Sequence, residues 1–349
     1  MAFRVVVGDV RRVLATFESN EVFDAVLCDP PYELGFMGRA WDRSNIAFDP
    51  ELWGAIACRL RPGAHLLAFG GTRTYHRLTC AIEDGSFEIR DCLMWLYGQG
   101  FPKSTDVSKA IDKRAGARRA VVGTRPIAYP DSPSGGAAGK TGSVSANASH
   151  RSDGIWKTAD SGETSRGRPV TAPATPAAQR FDGYGTALKP AWEPIVLARV
   201  PLNGTVAETA AIHGTGALNI VASRLGGRAG RWPPNVGLDE GAAAMLGEPS
   251  RFFYVGKASR AERDRGCSRS NDHPTVKPVA LTEWLARLLL PPPRPDGVRR
   301  LLVPFSGSGS EMIGAVCAGW DDVVGIEQDT GYATTARERL RHWLGGRQT

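Results

Sequence analysis

The sequence predicts an α/β fold built on a doubly wound, mostly parallel sheet, and three observations carry that reading. Short apolar runs closed by Gly or Asp ("FRVVVGD", "FDAVLCD", "GAHLLAFGG") suit strands buried on both faces. Helical spacings alternate with such runs at both ends of the chain. A glycine-rich turn, "PFSGSGS", joins one of the strands to a helix. At 349 residues the chain can bury a sizeable core, and 42% apolar with 23% charged residues is ordinary globular composition. The formal charge of +7 leans towards a polyanionic partner.

Taken in order, "FRVVVGD" and "FDAVLCD" are the first two strands. "DPELWGAIACRLRPG" is a helix with an Asp-Pro start and a Pro-Gly stop. "GAHLLAFGG" and "FEIRDCLMWLYGQG" follow as strands, with Trp95 and Tyr97 near the end of the latter. The character changes after Gly100, where residues 101–126 carry seven Lys/Arg against two Asp. From Tyr129 to about Ala178 the chain has almost no large apolar residues, cannot offset its ordering entropy by burial, and is predicted to be a mobile loop. "KPAWEPIVLARV" restores a strand. Residues 201–270 are mixed and basic, with aromatic-plus-arginine patches in "GRWPPN" and "RFFYVGKASRAER". The last block alternates again: helix "VALTEWLARLLL", strand "RRLLVPF", a helix after "SGSGS", strand "DDVVGIE" and helix "YATTARERLRHW". The six cysteines form no C-x-x-C pair and read as reduced core thiols, with no metal site. No signal peptide and no run of ~18 apolar residues is present, so the expectation is a cytoplasmic protein without a membrane partner.

Chemistry-bearing residues gather at strand ends. Gly307 and Gly309 let backbone approach a ligand closely, and the helix that follows favours an anionic group. A dinucleotide fingerprint wants a third glycine where this chain has Met312. Glu327, twenty residues after Gly307, ends the next strand and suits a ribose hydroxyl. Asp9 closes the first strand and by itself reads as a helix cap. If the C-terminal block supplies the first two strands of a doubly wound sheet, the N-terminal block supplies the third to fifth. Glu327, Asp9 and Asp29 then share one carboxyl edge, where such sheets bind ligands.

Asp29-Pro30-Pro31-Tyr32, then "HPTVKP" at 273–278, then "PFSGSGS" resemble the beta group of S-adenosylmethionine-dependent DNA amino-methyltransferases, in which the catalytic motif precedes the cofactor motif. "GQGFPKSTDVSKAIDK", "GTALKPAWEPIVLAR" and "KASRAER" are similar to phage and prophage members, and only about 127–175 goes unmatched. The resemblance implies a circularly permuted Rossmann-like methyltransferase sheet, mostly parallel, with an antiparallel hairpin at one edge and basic insertions for DNA recognition. It divides the chain into a catalytic half (1–100), a basic and partly disordered insertion (101–185), an edge strand (186–200), a target-recognition region (201–270) and a cofactor-binding half (271–349). It implies methyl transfer to the exocyclic N6 amine of adenine in double-stranded DNA, with the base flipped out of the stack.

The roles that the resemblance implies are specific. Asp29 and the Pro30 carbonyl accept the two hydrogens of the target amine. Pro30 and Pro31 fix φ and remove competing N–H donors. Tyr32 offers a π-face for the extracted base. Phe305, Ser306, Gly307, Ser308 and Gly309 wrap the methionine end of the cofactor, with Asp29 alongside, Glu327 on the ribose and Asp9 on the adenine amine. Thr275 and Lys277 cover the methionyl carboxylate, with His273 a lesser candidate. Phe36 and Trp41 in "ELGFMGRAWD" are candidates to hold the gap left by the flipped base. Lys103, Lys109, Lys113, Arg114, Arg118 and Arg119 are candidates for DNA phosphate. Cytosine-N4 methylation is the nearest rival, though family members acting on cytosine usually carry Ser in place of Asp29. A nicotinamide oxidoreductase and a catalytically dead DNA-binding relic are further readings. A homodimer and a separate restriction endonuclease stay open as partners.

Overall fold

The computed structural model describes residues 2–35, 40–98, 104–125, 168–246, 252–294 and 297–345. The chain divides into two compact units, a larger one formed by 1–101 and 190–349 and a smaller one formed by 102–189.

In the larger unit the strands are β1 (Ala2–Val7), β2 (Phe23–Cys28), β3 (Leu60–Phe69) and β4 (Glu88–Leu96). The smaller unit holds β5 (Val121–Arg125) and β6 (Arg168–Thr171). The larger unit resumes with β7 (Trp192–Arg199), β8 (Val236–Leu238), β9 (Phe253–Tyr254), β10 (Arg300–Pro304) and β11 (Asp322–Glu327). Among the described residues one sheet runs β1-β11-β10-β2-β3-β7-β4-β8-β9. Its first five strands are mutually parallel. The two C-terminal strands β10 and β11 sit between β1 and β2, so both ends of the chain build one edge, as the permuted order requires. β7 is antiparallel to β3 and to β4. The strand expected at an edge therefore lies inside the sheet, because β4 pairs with the side of β7 that β3 leaves open. β8 and β9, from the 201–270 region, extend the sheet beyond β4.

Helices cover both faces. On one side α1 (Val10–Thr16), α2 (Pro50–Ala57) and α3 (Tyr75–Asp84) pack around Phe23, Val26, Leu66 and Leu302. The smaller unit has its own helices, α4 (Val107–Arg114) and α5 (Pro176–Arg180). Beyond β7 come α6 (Val206–His213), α7 (Glu240–Leu246) and α8 (Arg260–Asp264). The other face is covered by α9 (Val279–Leu289), α10 (Ser310–Ala318) and α11 (Thr330–Gly345), packed around Ala25, Leu27, Leu301 and Val303. From Ala25 to Cys28 the residues of β2 alternate between the two clusters, which is why that run is apolar throughout rather than patterned. α2 starts as its sequence demands: Asp49 caps it through the Glu51 amide, and Pro50 fills the first turn. Met312 resolves the missing third glycine. It is fully buried on α10, and a Cβ on Gly325 of β11 would lie 2.3 Å from its sulfur, so the close helix–strand approach is provided by a glycine on the strand instead.

The smaller unit is organised by a buried Asp112 on α4. Its carboxylate accepts from the Ala174 and Thr175 amides, the Thr175 hydroxyl and the Arg119 guanidinium (2.7 Å). β5 and β6 pair antiparallel. Residues 168–178 are thus strand and helix rather than the mobile loop expected of them, because Asp112 supplies polar anchoring that an apolar count does not register. The rest of that expectation, 129–167, lies outside the described residues. Of the cysteines, Cys28 and Cys317 are buried, whereas Cys58 and Cys80 are exposed and not core thiols. Among the described residues no helix is long and apolar enough to cross a membrane.

Candidate active site

β2 delivers Asp29 and Tyr32 to the carboxyl edge, and the turn they occupy is held from three sides. The Thr74 hydroxyl donates to the Tyr32 carbonyl (2.7 Å). The backbone of Gly71 lies against the Tyr32 ring, where a Cβ would come within 3.2 Å of Cδ2. The buried Asp42 carboxylate accepts from the Glu33 and Leu34 amides (2.9 and 3.2 Å). Glu33 itself has φ 54°, a left-handed conformation that these bonds maintain.

Lys277, in the segment entering α9, reaches back across the chain to this turn. Its ammonium donates to Asp29 Oδ2 (2.8 Å) and to the Tyr32 hydroxyl (3.0 Å) and pairs with Glu193 Oε2 (3.2 Å). The Tyr32 hydroxyl in turn donates to Glu193 Oε2 (3.0 Å). Lys277 Nζ also lies 4.7 and 5.2 Å from the ring centroids of Phe69 and Tyr32. Asp29 Oδ1 is buried and has no hydrogen-bond partner among the described residues. A nearly buried carboxylate with one satisfied and one open oxygen is a ready acceptor for a ligand's N–H.

The electrostatics follow from burial. Desolvation raises the Asp29 carboxyl above the ordinary aspartate range, and the Lys277 ammonium reverses only part of the rise. Burial alone would depress Lys277, but Asp29 and Glu193 more than reverse it and hold the amine charged. Glu311, buried in the first turn of α10, is pushed up to about 7 by desolvation and by the Asp29 charge. His273 is pushed down to about 3 by burial and by Lys277, and is neutral at neutral pH.

The glycine turn follows β10, the neighbour of β2. Phe305 has φ 63°, Gly307 φ 49° and Gly309 φ 85°, so three of five residues are left-handed. The turn is fixed by Ser306 N to Ile326 O (2.8 Å), Gly309 N to Ser306 O (2.8 Å) and the buried Arg339 guanidinium on the Ser308 carbonyl (2.7 Å). Asn271 joins it to the "HPTVKP" segment through Ser308 Oγ (3.1 Å), and a Cβ at Gly307 would come within 2.7 Å of the His273 ring. Glu327 accepts from the Gly307 amide (2.8 Å) and the Asp329 amide (2.8 Å), so it braces the turn as well as ending β11.

The structure therefore brings together Asp29, Tyr32, Lys277, Glu311 and, across the adjoining strand β10, the Gly307–Gly309 turn. Lys277 is already engaged by Asp29 and Glu193, which departs from a bare role over a carboxylate. Thr275 is exposed. Asp9 caps α1 through the Arg11 amide (3.0 Å), and its partly exposed carboxylate is paired with the Arg11 side chain. Arg119 is not free for phosphate: it is spent on Asp112, Ser108 and Thr171, a correction with a plain electrostatic cause. Lys113, Arg114 and Arg118 are exposed, and Lys109 pairs with Asp106. Phe36 and Lys103 lie outside the described residues, and of Trp41 only the backbone, in a short 3-10 turn, is described. Sequence reasoning missed Glu193 and Glu311. The signal for Glu193 was an acid inside "AWEPIVLAR", where an otherwise apolar strand has no packing use for one.

Against known proteins, the chain matches no protein-family model and no curated protein sequence. Solved structures do match. The PvuII DNA methyltransferase (cytosine-N4-specific) aligns at 13% identity over 97% of this chain and 86% of that one, with a TM-score of 0.50. The M1.HpyAVI–SAM complex aligns at 14% identity over 97% and 98%, with a TM-score of 0.48. TTHA0409 from Thermus thermophilus, complexed with S-adenosyl-L-methionine, aligns at 17% identity over 99% and 96%, with a TM-score of 0.47. At such identities the likeness, carried by the first of the three, is one of fold: the chain has the mostly parallel α/β sheet of that methyltransferase structure.

Proposed function

We propose that this chain is an S-adenosylmethionine-dependent DNA amino-methyltransferase that modifies the exocyclic N6 amine of adenine in duplex DNA. The observation that carries the reading is the meeting of Asp29 and Tyr32, from the head of the chain, with Lys277 from its tail, beside the glycine turn of β10.

The residues present fit such a cofactor. The turn offers two left-handed glycines, a buried Ser306 hydroxyl without a hydrogen-bond partner among the described residues, and an acidic residue ending the next strand. Phe305 to Gly309 would hold the amino-acid end and Glu327 the ribose. When bound, S-adenosylmethionine supplies an electrophilic methyl group on a sulfonium. An adenine amine is a poor nucleophile because its lone pair is shared with the ring. Asp29 Oδ1 and the Pro30 carbonyl accept hydrogen bonds from its two N–H groups, which pushes the nitrogen towards tetrahedral geometry and frees its lone pair. The one proton released on methylation passes to the Asp29 carboxylate or to water. Lys277 opposes the desolvation that disfavours the Asp29 carboxylate. Tyr32, locked by Thr74 and Gly71, gives the base a face to stack on. Holding two reactants in line is worth about 7–11 kcal/mol at best, so rigidity of this turn is the main contribution asked of the protein.

Cytosine-N4 transfer is the second reading, because the solved structure at TM-score 0.50 carries that specificity in its own name. Purified protein, labelled S-adenosylmethionine and unmethylated duplex DNA test both: label is expected on adenine N6. Label on cytosine selects the second reading, and bound cofactor with no transfer to any duplex selects a relic.

A further inference from the structure

We infer that Glu193 is a positioning residue for the proposed transfer: by sharing the Lys277 ammonium, it fixes which oxygen of Asp29 is left for the target amine and how strongly that oxygen accepts. The inference deepens the methyltransferase reading and rests on it.

The geometry is a carboxylate–ammonium–carboxylate bridge. An ammonium has three hydrogens, and Lys277 has three oxygens around it: Asp29 Oδ2, the Tyr32 hydroxyl and Glu193 Oε2, at 2.8, 3.0 and 3.2 Å. None of the three is Asp29 Oδ1, which is left buried and open. The bridge therefore sets the rotation of the Asp29 carboxylate. Glu193 also fixes the Tyr32 hydroxyl, so one acid on β7 orients both groups that the target base would meet. A lysine given wholly to Asp29 would neutralise it and weaken its open oxygen as an acceptor. A lysine divided between two carboxylates leaves Asp29 more basic. The Glu193 charge acts in that direction, raising Asp29 against the pull of Lys277.

Several other groups face this cluster. Cys28 and Tyr32 lie on the catalytic strand and turn, and both are driven up by burial and by Asp29. Tyr97, beyond β4, is pushed up to about 12 by burial and Glu193. His273 and Glu311 complete the set, and of these Glu311 titrates near neutrality. The test is therefore run in a Glu311→Gln background as well as in the native chain.

The experiment follows the Asp29 carboxyl carbon through a pH titration of full-length protein made with 13C-labelled aspartate, the resonance being assigned by its loss in Asp29→Asn. Glu193→Gln should lower the Asp29 midpoint and Lys277→Met should raise it, with Glu193→Asp moving it less than Glu193→Gln. In methyl transfer to adenine-unmethylated genomic DNA, Glu193→Gln should lower kcat by about tenfold while KM for DNA stays within about twofold. Midpoints that move the same way in Glu193→Gln and Lys277→Met, or a Glu193→Gln midpoint that stays put, overturn the inference even if stability falls. A native chain that transfers no methyl group overturns the methyltransferase reading separately, since the titration needs no turnover.

Discussion

Asp24 and Asp29 sit at opposite ends of the same strand, and the contrast between them separates what the fold needs from what the site needs. Asp24 is buried at the amino edge. It receives two contacts of 2.8 Å from the Arg294 guanidinium, an ion pair with Arg61 (3.1 Å) and the Arg300 amide (2.7 Å). Both of its oxygens are used, and they tie β2 to β10 and to the chain before it. Asp29 is also nearly buried, yet one oxygen has a single lysine, shared with a second acid, and the other has nothing among the described residues. Evolution tolerates a half-satisfied buried carboxylate where a ligand completes it, because otherwise it only costs stability.

The sharpest way to break this contrast is to remove each acid. Asp29→Ala should lower methyl transfer by about 10³-fold or more while cofactor affinity, read by calorimetry, changes little. The same variant should melt no lower than the native chain, since an incompletely paired charge has gone. Asp24→Asn should do the reverse: about 3–5 kcal/mol lost in denaturant unfolding, because two guanidinium groups are left underpaired, with kcat intact at temperatures where the protein is folded. Equal losses of stability in the two variants would erase the distinction.

The pH dependence of stability sharpens it next. Glu311 has a folded pKa of about 7 against 4.5 unfolded, so the folded chain holds the extra proton and stability falls as pH rises through that window. His273, about 3 against 6.5, is neutral in the fold, so its contribution makes stability rise over 3 to 6.5. Between 4.5 and 6.5 the two slopes oppose each other. Glu311→Gln should leave stability rising with pH there, and His273→Asn should leave it falling. The two variants should diverge by about 2–5 kcal/mol across the window, read from urea midpoints at several pH values.

Gly307→Ala probes the cofactor side. A Cβ at φ 49° would press on the His273 ring at 2.7 Å, and the strain falls on the turn proposed to hold the cofactor. A loss of about 1–2 kcal/mol in cofactor affinity, roughly tenfold, is the expected outcome of a binding titration, with DNA affinity unaffected.

The sheet was legible because buried parallel strands announce themselves as unbroken apolar runs and because the order of the two halves fixed which strands must adjoin. The tetrapeptide Asp29–Tyr32 and the glycine turn were legible because stiff and left-handed backbones demand particular residue types. Glu193 was not, since its partner is a lysine eighty-four residues away and one acid in a strand carries no address. Arg119 was misjudged for the same reason: a basic run shows its charges but not which of them is answered by a buried Asp112. The position of β7 was missed because an apolar run shows that a strand is buried but not which strands flank it, and β4 takes the side that β3 leaves open.

The smallest expected effect lies in that basic run, and it separates charges that hold the fold from charges that face outward. Lys113, Arg114 and Arg118 are exposed, whereas Arg119 is committed to Asp112, Ser108 and Thr171. If the outward charges neutralise phosphate, each changed to Ala should weaken binding to duplexes of any sequence and reduce the salt slope of log K by about 1, without altering thermal unfolding. Arg119→Ala should instead lower the protease resistance of residues 104–125 and 168–189 and leave Asp112 without its cation. A salt slope that Arg119→Ala reduces as much as Arg118→Ala does, with proteolysis unchanged, would return Arg119 to the DNA-facing set.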